Sequence, residues 1–395
     1  MVRNCGGVEV ADIFRQYGPE YRKIHPMPRN QLRAMRAIEV CRTAELGGHV
    51  DKCDHCGHLE ISYNSCRNRH CPKCQFLKKE QWIEARSEDL LPIQYFHVVF
   101  TIPEELNPIV LRNQKVMYNL LFRSVSETII TLGKDPKHLG AHIGFIGVLH
   151  TWGQNLMDHP HIHCIVPGGG LSPIRHKWVS CRKKFFIHVN VLRDLFKKKF
   201  LAYLKRSYDS GELAFPGAIA YLQEPKVLER FRKQFYRKKW VLYSKPPFGG
   251  PEEVIRYLGR YTHRIAISNH RIINVEHGRV SFRWRDYADG DKKKIMTLNA
   301  SEFIRRFLLH VLPDRFVKIR HYGLLGSRNC KNNITLCRKL LHICKAEKDN
   351  NDQSETWKEL LLRISGVDVT KCPVCQKGRM HTTEVLKPTG CSRSP

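Results

Sequence analysis

The chain is short of negative charge. Across 395 residues, 37 Asp and Glu face 67 Lys and Arg, leaving a formal net charge of +30 and a pI near 9.7. That deficit argues against basic partners and for polyanions. Each phosphate neutralised by Lys or Arg releases condensed counterions, so nucleic acid is the expected partner. Long apolar runs are missing too, and nothing approaches the roughly twenty apolar residues of a membrane-spanning helix. The N-terminus MVRNCGGVEVADIF lacks the apolar core of a signal peptide, so the expected location is the cytoplasm. Internal repeats and low-complexity segments are absent, which sets aside repeat architectures. Cysteine is plentiful, with fifteen in the chain. In a reducing compartment metal ligation is the expected use of so many thiols, rather than disulfide bonding. The 42% hydrophobic content fills a sizeable core, and the length allows two or three domains.

In chain order, RNQLRAMRAIEVCRTAEL (29–46) places Leu32, Met35, Ile38 and Cys41 at helical spacing before Gly47 and Gly48, an amphipathic helix with a core-facing stripe and a glycine stop. CDHCGHLEISYNSCRNRHCPKC (53–74) follows. Its two CxxC knuckles, Cys53/Cys56 and Cys71/Cys74, are spaced as in a four-cysteine zinc ribbon or finger, a closed and therefore structural Zn2+ site. Cys66 and His70 are spare donors in the same loop, leaving a different ligand set or a second zinc open, and Arg67 and Arg69 alternate with them within reach of phosphate. A helix to Pro92, a buried strand over 94–103 and a helix over about 108–132 come next. Strand, helix, strand, strand is the pattern of an α+β domain with an antiparallel sheet.

The apolar run HPHIHCIVPGGGL then sets His161 and His163 on alternate positions of a β-strand, so both imidazoles share one face. His150 closes the preceding apolar run GFIGVL, and the turn-prone NLMDHP between the two runs makes a hairpin that gathers all three histidines. Three imidazoles with open coordination positions constitute a catalytic metal site. Gln154 is an alternative third donor to His150.

PEEVIRYLGRYTHRIAIS (251–268) begins with helix-start signals and spaces Tyr257 and Tyr261 at i, i+4, on one helix face. Arg256, Arg260, His263 and Arg264 surround them. Positive neighbours favour phenolate and hold phosphate. Beyond, HRIINVEHGRVSFRWRDY reads as a hairpin turning at His277 and Gly278, and SEFIRRFLLHVLP as a helix. The basic C-terminal segment carries a third knuckle, Cys372/Cys375, with His381 and Cys391 as candidate partners; a single CxxC is a weak metal signal.

CRNRHCPKC after an upstream CxxC, then HTWGQ with HPHIHCIVPGGGL, then YLGRYTHRIAIS resemble, as an ordered set over about 30–330, rolling-circle insertion-sequence transposases of the two-tyrosine HUH type with an N-terminal zinc-binding domain. The resemblance implies an HUH-endonuclease-like antiparallel sheet with helices, preceded by a small zinc-binding module. His161 and His163 match the HUH pair, His150 stands where related relaxases place a third histidine, and Tyr257 and Tyr261 match the nucleophiles. It also implies Mg2+ or Mn2+ at the histidines, Arg260 and Arg264 on phosphate, single-stranded DNA as partner, association with the nucleoid through DNA, and a covalent 5′-phosphotyrosine intermediate. The expected division is a zinc-binding, DNA-binding domain (1–92), a catalytic domain (93–320) and a basic tail (321–395). Two rival readings use the same residues: a non-catalytic zinc-finger regulator, and a histidine-metal phosphoesterase that uses water.

Overall fold

The computed structural model describes residues 7–87, 90–182, 185–245, 253–254, 259, 266–287, 289–343 and 356–389. The chain divides into two compact units. One comprises Met1–Gln81, His263–Val311 and Lys345–Pro395, the other Trp82–Thr262 and Leu312–Cys344. These units differ from the three consecutive segments expected from the sequence, and strand pairing is the reason. Strands from the expected tail hydrogen-bond into sheets begun far upstream, one in each unit.

The first unit opens with α1 (Val10–Ile24) and α2 (Arg29–Glu39). Asp12 and Glu9 cap α1 reciprocally, and α1 buries Val10, Ile13, Phe14 and Tyr21 while α2 buries Ala34, Met35 and Ile38. The helices approach closely at Gly18, where a Cβ would meet Met35 Cε at 2.5 Å. The hairpin β1 (Gly48–Cys53) and β2 (Leu59–Tyr63) follows, then α3 (Gln75–Ser87), which passes into the second unit at Trp82.

The second unit is built on β3 (Tyr95–Thr101), whose residues are all buried. Next come α4 (Asn107–Arg112), α5 (Gln114–Lys134), β4 (Gly144–Trp152), β5 (Asp158–Pro167), β6 (Gly169–Leu171), β7 (Trp178–Ser180), α6 (Val189–Asp209), α7 (Pro225–Arg237) and β8 (Leu242–Lys245). The helix expected over 108–132 is two helices, broken at Asn113. Its backbone leaves the helical region, and its side-chain amide donates to Ile109 O at 3.0 Å and to Ala214 O at 2.8 Å. The chain returns to the first unit with β9 (Ile272–Glu276), β10 (Arg279–Asp286), β11 (Lys292–Asn299) and α8 (Ala300–Leu309). The expected β9–β10 hairpin is present. His277 and Gly278 both have positive φ, 49° and 73°, as a two-residue turn matched to strand twist demands. β12 (Ile319–Gly323) and α9 (Cys330–Leu340) belong to the second unit, and α10 (Trp357–Ser365) and β13 (Met380–Leu386) to the first.

The architecture is α+β with antiparallel sheets. In the second unit five strands lie in the order β12-β4-β5-β3-β8, every neighbour antiparallel. Alternation sorts their side chains between two faces. Phe96, Val98, Phe100, Phe145, Leu149, Ile162, Cys164 and Val166 pack with residues of α5 and α6 in the larger core. Tyr95, Ile146, Val148 and Ile165 face the other way, into a second cluster with Leu171, Val254, Ile334 and Cys337. This second face carries the histidines.

Candidate metal centres

β5 is the centre of the sheet, so both its neighbours fix where His161 and His163 point. His161 pairs with His150 on β4 and Thr101 on β3, and His163 pairs with Val148 and Val99. Residues directly opposite across strands share a face, which adds His150 to the pair. The ligating nitrogens of the three all lie within 4.8 Å of one another. All three side chains are buried, and the same sheet face carries Tyr95, Ile146, Val148 and Ile165 of the second apolar cluster.

The hydrogen bonds orient the rings for ligation. His161 Nδ1 donates to the His159 carbonyl at 2.6 Å, and His163 Nδ1 lies 2.8 Å from His97 Nε2, which leaves the two Nε2 atoms facing each other at 3.0 Å. A cation held by two imidazole nitrogens at about 2.1 Å in adjacent positions sets those nitrogens about 3 Å apart, so the donor set fits a divalent ion. His150 brings a third nitrogen within reach of that position, its ring stacked on Trp152 at 4.8 Å between centroids. Gln154 sits in the turn between β4 and β5. His97, on β3, carried no signal in sequence because its neighbours on that face, Tyr95 and Val99, are ordinary core residues.

A second polar group lies on the opposite face at the start of β5. Both carboxylate oxygens of Asp158, the Tyr118 hydroxyl and the Asn107 amide oxygen are buried without hydrogen-bond partners among the described residues. Burial pushes the Asp158 carboxyl up to about 7, and burial with the nearby Asp158 charge pushes the Tyr118 hydroxyl well above its ordinary value. Burial likewise lowers His159.

The cysteines form two quartets, Cys41/Cys66/Cys71/Cys74 and Cys53/Cys56/Cys372/Cys375. The expected single site of Cys53, Cys56, Cys71 and Cys74 is therefore corrected. Cys53 and Cys56 occupy the tip of the β1–β2 hairpin, whereas Cys71 and Cys74 follow β2 at its base. A five-residue strand separates tip from base by roughly 17 Å, far beyond what one ion spans. At the base, Cys41 Sγ lies 3.6 Å from both Cys71 and Cys74, and Cys66 Sγ lies 3.6 Å from Cys74. Four sulfurs about 2.3 Å from a tetrahedral zinc stand about 3.8 Å apart, so these separations fit the ion. The four thiols hydrogen-bond one another, which draws Cys41 and Cys74 down and pushes Cys66 and Cys71 up. Cys66 thus joins Cys41, Cys71 and Cys74 in the first quartet. His70 lies outside that quartet.

Comparison with known proteins decides the family. The family model described as "Transposase zinc-binding domain" matches residues 13–102, and that described as "Putative transposase" matches 144–333. "Putative transposase y4qJ" of Sinorhizobium fredii is 49% identical over 381 residues, 96% of this chain and 96% of the relative. The chain belongs to this family of insertion-sequence transposases. "Transposase for insertion sequence element IS801" of Pseudomonas savastanoi pv. phaseolicola is 25% identical over 366 residues, 89% of this chain and 85% of the relative. No solved structure matches.

Within this transposase, the zinc-binding match contains the complete quartet Cys41, Cys66, Cys71 and Cys74, and the larger match contains His150, His161 and His163. Tyr257, Tyr261, Arg260 and Arg264 lie outside the described residues, as do Arg256, His263 and Cys391. Arg67 is exposed, with a left-handed φ of 52°, and Arg69 is half-buried, both in the loop between β2 and Cys71. His381 is no partner of the third knuckle in ligation. Its Nε2 lies 3.4 Å from Asp54 Oδ2, apart from the sulfurs. Among the described residues no helix is long and apolar enough to cross a membrane.

Proposed function

We propose that this transposase nicks and joins single-stranded DNA at the ends of its mobile element through a covalent 5′-phosphotyrosine link, in rolling-circle transposition in the cytoplasm. The observation that carries the reading is the convergence of His150, His161 and His163 on one sheet face, with the second nitrogens of His161 and His163 oriented by neighbours. These residues hold Mg2+ or Mn2+, which when bound polarises the scissile phosphate and stabilises the charge developing on it.

Tyr257 and Tyr261 are the nucleophiles. A phenolic oxygen attacks phosphorus in line, the tyrosine O–P bond forms, the P–O3′ bond breaks, and the phenolic proton is lost as the 3′ oxygen gains one. Val254 supports this assignment, because it is buried in the apolar cluster on the histidine face, three positions before Tyr257 in the chain. Arg260, Arg264, Arg67 and Arg69 hold phosphate, in keeping with the +30 charge.

The test is to incubate the full chain with single-stranded oligonucleotides from the element ends and Mn2+, then to look for a denaturation-resistant protein–DNA adduct. The wild type forms it. Tyr257→Phe with Tyr261→Phe, and His161→Ala with His163→Ala, bind the oligonucleotide and form none. A free cleaved end without adduct, or an adduct mapped to another tyrosine, overturns the proposal.

A further inference from the structure

The second cysteine quartet joins the two ends of the chain. Cys56 and Cys372 are 316 positions apart, yet their sulfurs lie 3.6 Å from each other, and Cys53 and Cys375 sulfurs lie 3.7 Å apart. Only half of this quartet falls within the residues matched by the zinc-binding family, 13–102. We infer that Cys53, Cys56, Cys372 and Cys375 bind a second structural zinc, which clamps the C-terminal strand onto the N-terminal hairpin.

Four lines of geometry carry this. The sulfur separations fit the edges of a zinc tetrathiolate, about 3.8 Å, and are far too long for disulfides. Both knuckles turn their backbone N–H groups onto the sulfurs: His55 and Cys56 donate to Cys53 Sγ at 3.4 and 3.5 Å, and Gly378 donates to Cys375 Sγ at 3.4 Å. Such donors offset thiolate charge, as they do in closed zinc sites. The knuckles also meet too closely for any other residue at Gly378, where a Cβ would come within 2.5 Å of Cys53 Sγ and 2.6 Å of Asp54 Oδ1.

The fourth line concerns what else holds the C-terminal strand. β13 pairs with β1 from Gly48↔Leu386 to Cys53↔Met380, forming the three-stranded sheet β13-β1-β2. Its residues are almost all exposed, Val385 at 76%, and across the sheet Leu59 on β2 is 58% exposed. Apolar burial therefore contributes little here, and short exposed strands without a buried face are marginal in water. The remaining contacts are a few polar ones, such as Thr382 Oγ1 to Asp51 Oδ1 at 2.7 Å and Arg379 N to Asp54 Oδ1 at 2.8 Å. A zinc closed by all four thiolates supplies what packing does not, since the binding energy of such an ion is largely folding energy. The segment that builds the last strand of the first unit is then tied back to its beginning, although the whole second unit intervenes in sequence.

The experiment counts zinc in the full-length purified protein by native mass spectrometry and follows amide exchange along β13. Two ions per wild-type chain are expected. The paired substitution Cys372→Ser and Cys375→Ser leaves one, and the amides of 381–386 exchange at least tenfold faster while those of β3 and β5 keep their protection. The pair Cys66→Ser and Cys71→Ser removes the other ion and leaves β13 protected. One zinc in the wild type, two in the Cys372/Cys375 variant, or undiminished β13 protection in that variant overturns the inference. Cobalt substitution gives a second measurement on the wild type alone, independent of how any variant folds. Thiolate-to-cobalt absorbance rising to two equivalents supports two sites, and saturation at one refutes them.

Discussion

Both ring nitrogens of His163 are engaged, Nε2 toward His161 and Nδ1 toward His97 at 2.8 Å. His97 lies edge to edge with His163, with 7° between ring planes and 5.1 Å between centroids, so through that in-plane hydrogen bond it fixes the orientation of the His163 ring. It is a positioning residue. Replacing His97 by Phe keeps an aromatic ring at the position and removes the hydrogen bond. The expected result is a loss of about 10–100-fold in divalent-ion affinity with the fold intact, read by calorimetric titration; unchanged affinity would show the contact to be packing alone. Asp158 makes a different prediction. Its carboxyl is held at about 7 by burial, above the ordinary range near 3.9, so the folded protein retains a proton that the unfolded chain releases. Stability from this group is fully present below about pH 4 and is lost as pH rises through about 7, by up to on the order of 4 kcal/mol. Asp158→Asn should flatten that slope, so that urea midpoints of variant and wild type diverge progressively between about pH 4 and 7 in the variant's favour and run parallel above that. Curves parallel throughout would assign the slope elsewhere.

At the scale of elements, what was legible in sequence was whatever local periodicity determines. The alternation of His161 and His163 specifies one face of a strand, and NLMDHP specifies the turn, so the partner His150 followed from the hairpin. The β9–β10 hairpin was legible for the same reason, because its turn at His277 and Gly278 is a two-residue problem. Zinc ligation was misread where proximity in sequence stood in for proximity in space. A β-hairpin moves two neighbouring CxxC knuckles to opposite ends, and each then recruits distant thiols, Cys41 from the helical stripe and Cys372/Cys375 from the far terminus. Cys41 looked like core because its spacing continued the stripe of Leu32, Met35 and Ile38, yet α2 stops at Glu39 and frees it to ligate. His97 and the edge strand β12 were illegible because their roles depend on cross-strand register, which no local pattern states.

At the scale of the molecule, the two units rest on different sources of stability. The histidine-bearing unit has a five-stranded sheet with apolar clusters on both faces, including the ring contacts of Phe100, Phe196 and Trp240 at 5.0 to 5.4 Å. Truncating one such buried ring costs about 3–5 kcal/mol, so the unit has no need of a metal to fold. The cysteine-bearing unit, assembled from three chain segments, has a helical core of α1, α2 and α8 and an exposed sheet bounded by thiol quartets. A structural zinc contributes about 10–16 kcal/mol, comparable with the entire 5–15 kcal/mol stability of a typical domain. Unfolding should therefore not be two-state. Scanning calorimetry of the full chain is expected to resolve two transitions, and a strong chelator should abolish one or lower its midpoint by more than about 10 °C while moving the other by no more than a few degrees. The surviving transition should also be the one that Asp158→Asn shifts, because that residue lies in the metal-independent core. A single transition insensitive to chelation would mean that apolar packing, not zinc, holds the cysteine-bearing unit.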